Sequence, residues 1–419
     1  MVAGVRSFSS LAQEGTRAIP LMLLCTLVYF LPMVVLFSDL GRRFPQEGGF
    51  YIWIHEAFGP WPAFLSAWLY SVGILLLFPT VILFGASIGP HILGSTYASL
   101  GDEPWFVLTA TLVLLWGGTL VNVFGLRLTS RFINLGAACT YATLLILLGT
   151  AICVLTQRPS ATHFSLALSW DFSTFNSWAQ MTYFVTGLEL AGLLAGEVRD
   201  PARTVPKAAL FSSFAIALFF TAGAAAILVI LPAGKVHPVN GIAQAAAVAG
   251  EALRAPWLPI LLAGTVVISV AAQFAGFMAS SSRLPYLFGI DRYLPGPFAR
   301  LHPRYGTPYV SLLCGAAIST LFVFGICLGE TVRAAYTALF DACILLNAVP
   351  FLYLFAAGWK LGSRVAAALG FLVTVTAVIF SLIPSSEVSN VWSFELKLCA
   401  VLGAMAVVAF VLYRRGASE

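Results

Sequence analysis

Apolar runs of about 20 residues follow one another along almost the whole chain, and they limit its fold more than any other feature. A helix of roughly 20 residues spans the roughly 30 Å hydrocarbon core of a bilayer. The runs fall at 18–40, 61–90, 104–124, 132–156, 175–195, 207–232, 256–282, 308–328, 334–357, 364–384 and 395–413, preceded by a short piece at 1–13. Lipid offers no partner to backbone N–H and C=O groups, so segments of this length cross as helices. The expected fold class is therefore an all-α membrane protein with about eleven full spans. Composition agrees: 60% of the 419 residues are hydrophobic and only 9% charged. So few charges could not cover the surface of a soluble protein of this size.

Basic residues set the expected orientation. Fifteen of the 22 Lys and Arg residues fall on one set of alternate loops, among them Arg42, Arg43, Arg127, Arg131, Arg300, Arg304, Arg364 and Arg414. The other seven, Arg6, Arg17, Arg158, Lys235, Arg254, Arg333 and Lys397, fall on the opposite side. The richer side predicts a cytoplasmic C-terminus in a multi-pass protein of the cell membrane. The start reads Met1-Val2-Ala3-Gly4-Val5-Arg6, without the basic and long apolar regions of a signal peptide. It reads instead as the second half of a helix. The seven cysteines stand singly in apolar runs with no C-x-x-C spacing, which favours packing over metal ligation or disulfides. No cofactor and no nucleic-acid partner is expected.

Residues 183–207 carry the strongest functional signal. An apolar span holds Gly187 and the acidic Glu189 near its middle, then ends in the charged, Pro-bounded loop Gly196-Glu197-Val198-Arg199-Asp200-Pro201. A carboxylate at membrane depth is costly unless it faces a cavity or a partner. A glycine beside it lets the helix loosen, which is tolerated only where freed backbone groups meet protein, ligand or water. Secondary transporters build solute sites from such interrupted helices. Residues 41–60 read differently: breakers alternate with an aromatic amphipathic turn, suiting a segment on the inner membrane surface.

Three landmarks then resemble the amino acid–polyamine–organocation permease superfamily. They are Arg43-Phe44-Pro45-Gln46-Glu47-Gly48-Gly49 with Glu56-Ala57-Phe58-Gly59-Pro60, Gly187-Leu188-Glu189 with the Gly196–Pro201 loop, and Phe298-Ala299-Arg300-Leu301-His302-Pro303 with Gly306-Thr307-Pro308-Tyr309. Val5-Arg6-Ser7-Phe8, Phe78-Pro79-Thr80 and Pro350-Phe351-Leu352-Tyr353-Leu354-Phe355 are similar to the glutamate/γ-aminobutyrate antiporter-like branch. The resemblance implies a leucine-transporter-type fold of two five-helix inverted repeats plus two C-terminal helices. Carried onto one permease domain of 419 residues, repeat one takes 1–156, repeat two 175–357 and the extra helices 358–413. The first and sixth helices break near mid-membrane, where the substrate meets exposed backbone. Here only the second half of the first helix is expected, from about Met1, with the inner half and the Gly-rich break missing or barely present at Val2, Ala3 and Gly4, and the sixth helix breaks around Phe184–Gly187.

The implied function is secondary active amino acid transport by alternating access, not catalysis. Exchange and coupling to protons or sodium stay open, and a polyamine or amine transporter, a non-transporting nutrient sensor and an inactive fragment are the alternatives. Candidate substrate-binding residues are Val2, Ala3, Gly4, Tyr183, Phe184, Thr186, Gly187, Glu189, Gln273, Phe277 and Asp341. Each has a plainer reading. Glu189 is a gate or proton-linked carboxylate, or a structural acid held by neighbouring helices. The aromatics lid a ligand or simply pack. Asp341 and Asn347 interrupt an apolar span; Asp341 pairs with Arg6 or Arg333, titrates during transport, or makes a helix-packing hydrogen bond. Gln273 shares a helix face with Ser269, so the pair lines a cavity or bonds across an interface. Arg6 attracts an anion or snorkels to the interface. Thr140 stands where some proton-coupled relatives carry a Lys, which disfavours that coupling device. Gly85-Ala86-Ser87-Ile88-Gly89 matches a hydrolase elbow pattern, but lies at a helix end with no His partner, so close helix packing explains it better.

Overall fold

A computed structural model describes residues 4–44, 46, 48–165, 172–193, 200–327, 332–381 and 391–416. Among them the chain forms seventeen α-helices and no strand. In order these are α1 (Arg6–Gln13), α2 (Ala18–Cys25), α3 (Leu31–Arg43), α4 (Phe50–Phe58), α5 (Pro60–Ile88), α6 (Pro104–Val123), α7 (Leu126–Leu155), α8 (Phe172–Phe184) and α9 (Glu189–Leu193). There follow α10 (Pro201–Ile230), α11 (Gly241–Ala252), α12 (Trp257–Ser281), α13 (Arg283–Ile290), α14 (Tyr309–Cys327), α15 (Val332–Lys360), α16 (Arg364–Ser381) and α17 (Val391–Gly416).

Among the described residues, seven helical runs are long and apolar enough to cross a membrane: Gly15–Arg43, Pro60–Leu93, Pro104–Val123, Leu126–Leu155, Lys207–Ile230, Trp257–Ile290 and Cys343–Lys360. Two shorter apolar runs, Tyr309–Phe324 and Arg364–Phe380, match two further expected spans. The expected span at 175–195 is not one rod but the pair α8 and α9. Residues 233–255, outside every expected span, hold the additional helix α11, whose Ala-rich sequence favours helix without being long enough to cross.

Local chemistry explains the starts and bends. Gly125, at φ +113°, turns α6 sharply into α7, so that α7 begins at Leu126, six residues before the expected span. The run from Gly15 to Arg43 contains a π-helical turn at Thr26–Phe30. Pro32 follows it and has no N–H to return to the preceding turn, so the ladder slips register there.

Packing between helices in lipid gains little from hydrophobicity and depends on close contact and internal hydrogen bonds. Helices α7 and α12 show both. A methyl group on Gly136 would lie 2.0 Å from the Ala272 side chain, so glycine sets the distance between the two backbones. Farther along the same contact, Thr143 donates to Thr265 at 2.9 Å. Buried hydroxyls elsewhere return to their own helix, as Thr80 does to the Leu76 carbonyl and Thr119 to the Leu115 carbonyl. Gly85, from the elbow-like pattern, faces Val270 of α12, as small-residue packing requires.

The end of the molecule richest in arginine is fastened by polar contacts between distant segments. Arg43 pairs with Asp39 at 2.8 Å and donates to the Leu361 carbonyl at 2.6 Å. Lys360 donates to the Ala57 carbonyl at 2.6 Å. Helix α4 buries Phe50, Tyr51, Trp53, Ile54 and Ala57, packs on α5 and α15, and leaves His55, Glu56 and Phe58 exposed. Its amphipathic pattern thus serves contact with protein. Tyr51 donates to Asp291 at 2.6 Å, and burial together with that carboxylate pushes its phenol above the ordinary range.

Candidate functional site

The interruption between α8 and α9 is the geometric centre of the site. Helix α8 stops at Phe184, residues 185–188 carry no helical pattern, and Glu189 opens α9. Gly187 has φ +117°, a conformation that side chains with a Cβ rarely adopt. Thr186 closes the end of α8, donating to the Tyr183 carbonyl from its N–H at 3.1 Å and its hydroxyl at 2.7 Å.

Glu189 is only 3% exposed and is held at both oxygens. Tyr70 of α5 donates to Oε1 at 2.7 Å, and the Gly187 N–H donates to Oε2 at 2.9 Å. The second bond folds the side chain back over the break; the first ties the break to a helix 119 residues away. A buried carboxyl group in this position is tolerated only because such donors meet it.

Beside the break lies a hollow of about 30 Å³. Its walls are Arg6 and Ser7 of α1, Tyr70, Ile74 and Leu77 of α5, and Tyr183, Phe184, Thr186, Gly187, Glu189 and Leu190 around the interruption. Gln273 and Phe277 of α12 and Asn347 of α15 complete them. That volume has room for a water or two. An amino acid is larger than that and fits only if the walls part.

Of the residues singled out from sequence, the structure brings Tyr183, Phe184, Thr186, Gly187, Glu189, Gln273 and Phe277 to this one hollow. Gly4 stands behind it: a methyl group there would meet Gln273 Nε2 at 2.6 Å. Arg6 does not snorkel; it is 6% exposed and faces the hollow with Glu189. Val2 and Ala3 lie outside the described residues. Asp341 lies on α15, with its side chain outside the described set. Ser269 bonds across to Thr140 of α7 at 2.5 Å and lines a second hollow, separate from the break. Asp200 and Arg203 form an exposed pair at 3.8 Å, away from the site's walls, and Lys207 is exposed.

Tyr70, Ser7, Ile74, Leu77 and Leu190 are the wall residues that sequence reasoning did not single out. A polar-tipped aromatic amid the apolar residues of α5 was the only signal for Tyr70, and the chain has 13 tyrosines. Among the described residues no group of His, Cys, Asp and Glu is arranged to hold a metal ion.

Residues 1–383 match the family model described as amino acid permease. The chain belongs to the amino acid permease family, within the amino acid–polyamine–organocation superfamily. It is 26% identical to an uncharacterised transporter of Legionella pneumophila, with 98% of this chain and 92% of that protein covered. It is 22% identical to the glutamate/serine transporter AimA of Bacillus subtilis, over 71% of this chain and 58% of that one. With the probable agmatine/putrescine antiporter AguD of Lactococcus lactis it shares 21% identity, over 70% of this chain and 63% of that protein. The crystal structure of MhsT in complex with L-phenylalanine superposes with a TM-score of 0.61 at 13% identity, covering 90% of this chain and 93% of that one. This permease therefore has the leucine-transporter-type fold.

Proposed function

We propose that the protein is a secondary active amino acid transporter working by alternating access. One observation carries this reading: a helix interrupted at Val185–Leu188, with buried Glu189 held at the gap beside a hollow. The last carbonyls of a helix lack donors from a following turn and carry partial negative charge. Those of α8 other than the Tyr183 carbonyl, which Thr186 caps, suit an ammonium group, as does Glu189, while Arg6, which lines the same hollow, suits a carboxylate. A zwitterion matches that pairing. The relatives named as a glutamate/serine transporter and an agmatine/putrescine antiporter support transport of amino acids or amines. Arg6 in the same wall weighs against a dication such as a polyamine.

Residues 1–156 and 175–357 are read as the two inverted repeats and 358–413 as the added helices, with the C-terminus cytoplasmic in the cell membrane. In this reading the substrate loosens the Tyr70–Glu189 link between α5 and the interrupted helix, and the two sides rock apart. The test is uptake of a labelled amino acid panel into proteoliposomes under an imposed sodium gradient, a pH gradient, or a load of unlabelled amino acid. Accumulation in one condition supports the proposal and identifies its driving force. Binding without uptake in all three supports a sensor instead, and uptake of diamines alone supports the amine reading.

A further inference from the structure

Asn347 offers one more piece of chemistry. It sits on α15, is 3% exposed, and lines the hollow at the break. Its amide is held one way round: Nδ2 donates to the Cys343 carbonyl, one turn back, at 2.7 Å. Turning the amide over would set two oxygens against each other, so Oδ1 takes the remaining position. That Oδ1 is buried and accepts no hydrogen bond among the described residues. Room for the amide comes from α5, where a methyl group on Gly73 would lie 2.6 Å from Nδ2. An acceptor left unsatisfied in a buried place is costly. Here the fold supplies a fixed seat for the amide and, among the described residues, no donor for its oxygen.

We infer that Asn347 Oδ1 is the specificity contact of the site, accepting a hydrogen bond from the substrate's side chain. The favoured class is then amino acids that carry a side-chain hydroxyl or amide donor, such as serine, threonine, asparagine or glutamine, over apolar isosteres. This rests on the amino acid transporter reading and refines it. A site with a committed acceptor discriminates more strongly than an apolar one, because an isostere without the donor leaves that acceptor unpaired. The apolar remainder of the wall, Ile74, Leu77 and Phe277, sorts side chains by size only.

The experiment is competition between serine and its isostere 2-aminobutyrate for uptake into proteoliposomes, with wild type, Asn347→Leu and Asn347→Asp. The wild type is expected to favour serine by about 10-fold or more, in line with the penalty for leaving a buried acceptor unpaired. Asn347→Leu is expected to bring the ratio to about one or invert it, while Asn347→Asp, whose protonated oxygen can still donate to the Cys343 carbonyl and whose other oxygen keeps the acceptor, retains the preference. If Asn347→Leu does not fold, Asn347→Asp and Asn347→Ser carry the comparison, the shorter hydroxyl narrowing the ratio. A ratio near one in wild type, or one unmoved in Asn347→Leu and Asn347→Ser, overturns the inference alone. No uptake of any amino acid by wild type overturns the transporter reading together with it.

Discussion

Two hollows share the side chain of Gln273 yet differ in almost every physical respect. The one at the α8–α9 break measures about 30 Å³ and is faced by Arg6, Glu189, two amides and unwound backbone. The one between α7 and α12 is larger, about 90 Å³, and is lined chiefly by small residues such as Gly136, Ala137, Ala272 and Gly276. Its threonine and serine hydroxyls are already matched, Thr140 to Ser269 and to its own helix at the Gly136 carbonyl. The larger space is a by-product of glycine-mediated packing. The smaller one concentrates charge, interrupted backbone and an unsatisfied acceptor. Chemistry, not volume, separates a site from a packing gap.

Substitutions in the two hollows put that contrast to the test. The largest effect is expected at Glu189. Glu189→Ala leaves two buried donors, the Tyr70 hydroxyl and the Gly187 N–H, without their acceptor, at about 1–3 kcal/mol each. Proteoliposome uptake should fall by about 100-fold, at roughly tenfold per 1.4 kcal/mol. Uptake within a few-fold of wild type would make the acid a packing feature, like the hydroxyls of the other hollow. Next comes Gly187→Ala, which forces a Cβ into φ +117°. A strained backbone of this kind costs of order 1–3 kcal/mol, so both the melting temperature in detergent and uptake should drop, the latter about tenfold. An unchanged melting point would show that the break relaxes freely.

Tyr70→Phe is milder, since it removes one hydrogen bond and leaves Glu189 with Gly187. At about 1 kcal/mol, uptake should fall about fivefold while the melting temperature moves little. The smallest effect belongs to the packing gap. Thr140→Val removes an interhelical bond of about 0.6 kcal/mol, and uptake should stay within about twofold of wild type. A loss comparable to that of Glu189→Ala would overturn the division between the two hollows.

The sequence exposed one side of this contrast far better than the other. Span length and the pairing of Gly187 with Glu189 in an apolar run announced the crossings and the break, because each is a local departure from what lipid tolerates. Tyr70 was invisible: an aromatic in an apolar helix has the same pattern whether it packs or donates, and its partner is 119 positions away. Arg6 was ambiguous for the same reason, since only the packing of α1 against its neighbours decides whether a long side chain reaches the interface or the interior. Ser269 and Gln273 share a face, but only the crossing of α7 over α12 divides them between hollows. Helix α11 hid in a connection too short to cross the bilayer, though its run of alanines was a legible helix signal.

The most direct measurement is substrate protection at the break. Thr186→Cys, in a background with the exposed Cys153 replaced by Ser, is labelled in proteoliposomes with a membrane-impermeant thiol reagent. If cargo is held at the interruption, a transported amino acid should slow labelling in proportion to its occupancy, and an untransported one should not. A labelling rate indifferent to saturating amounts of a substrate that the same vesicles take up would contradict the account.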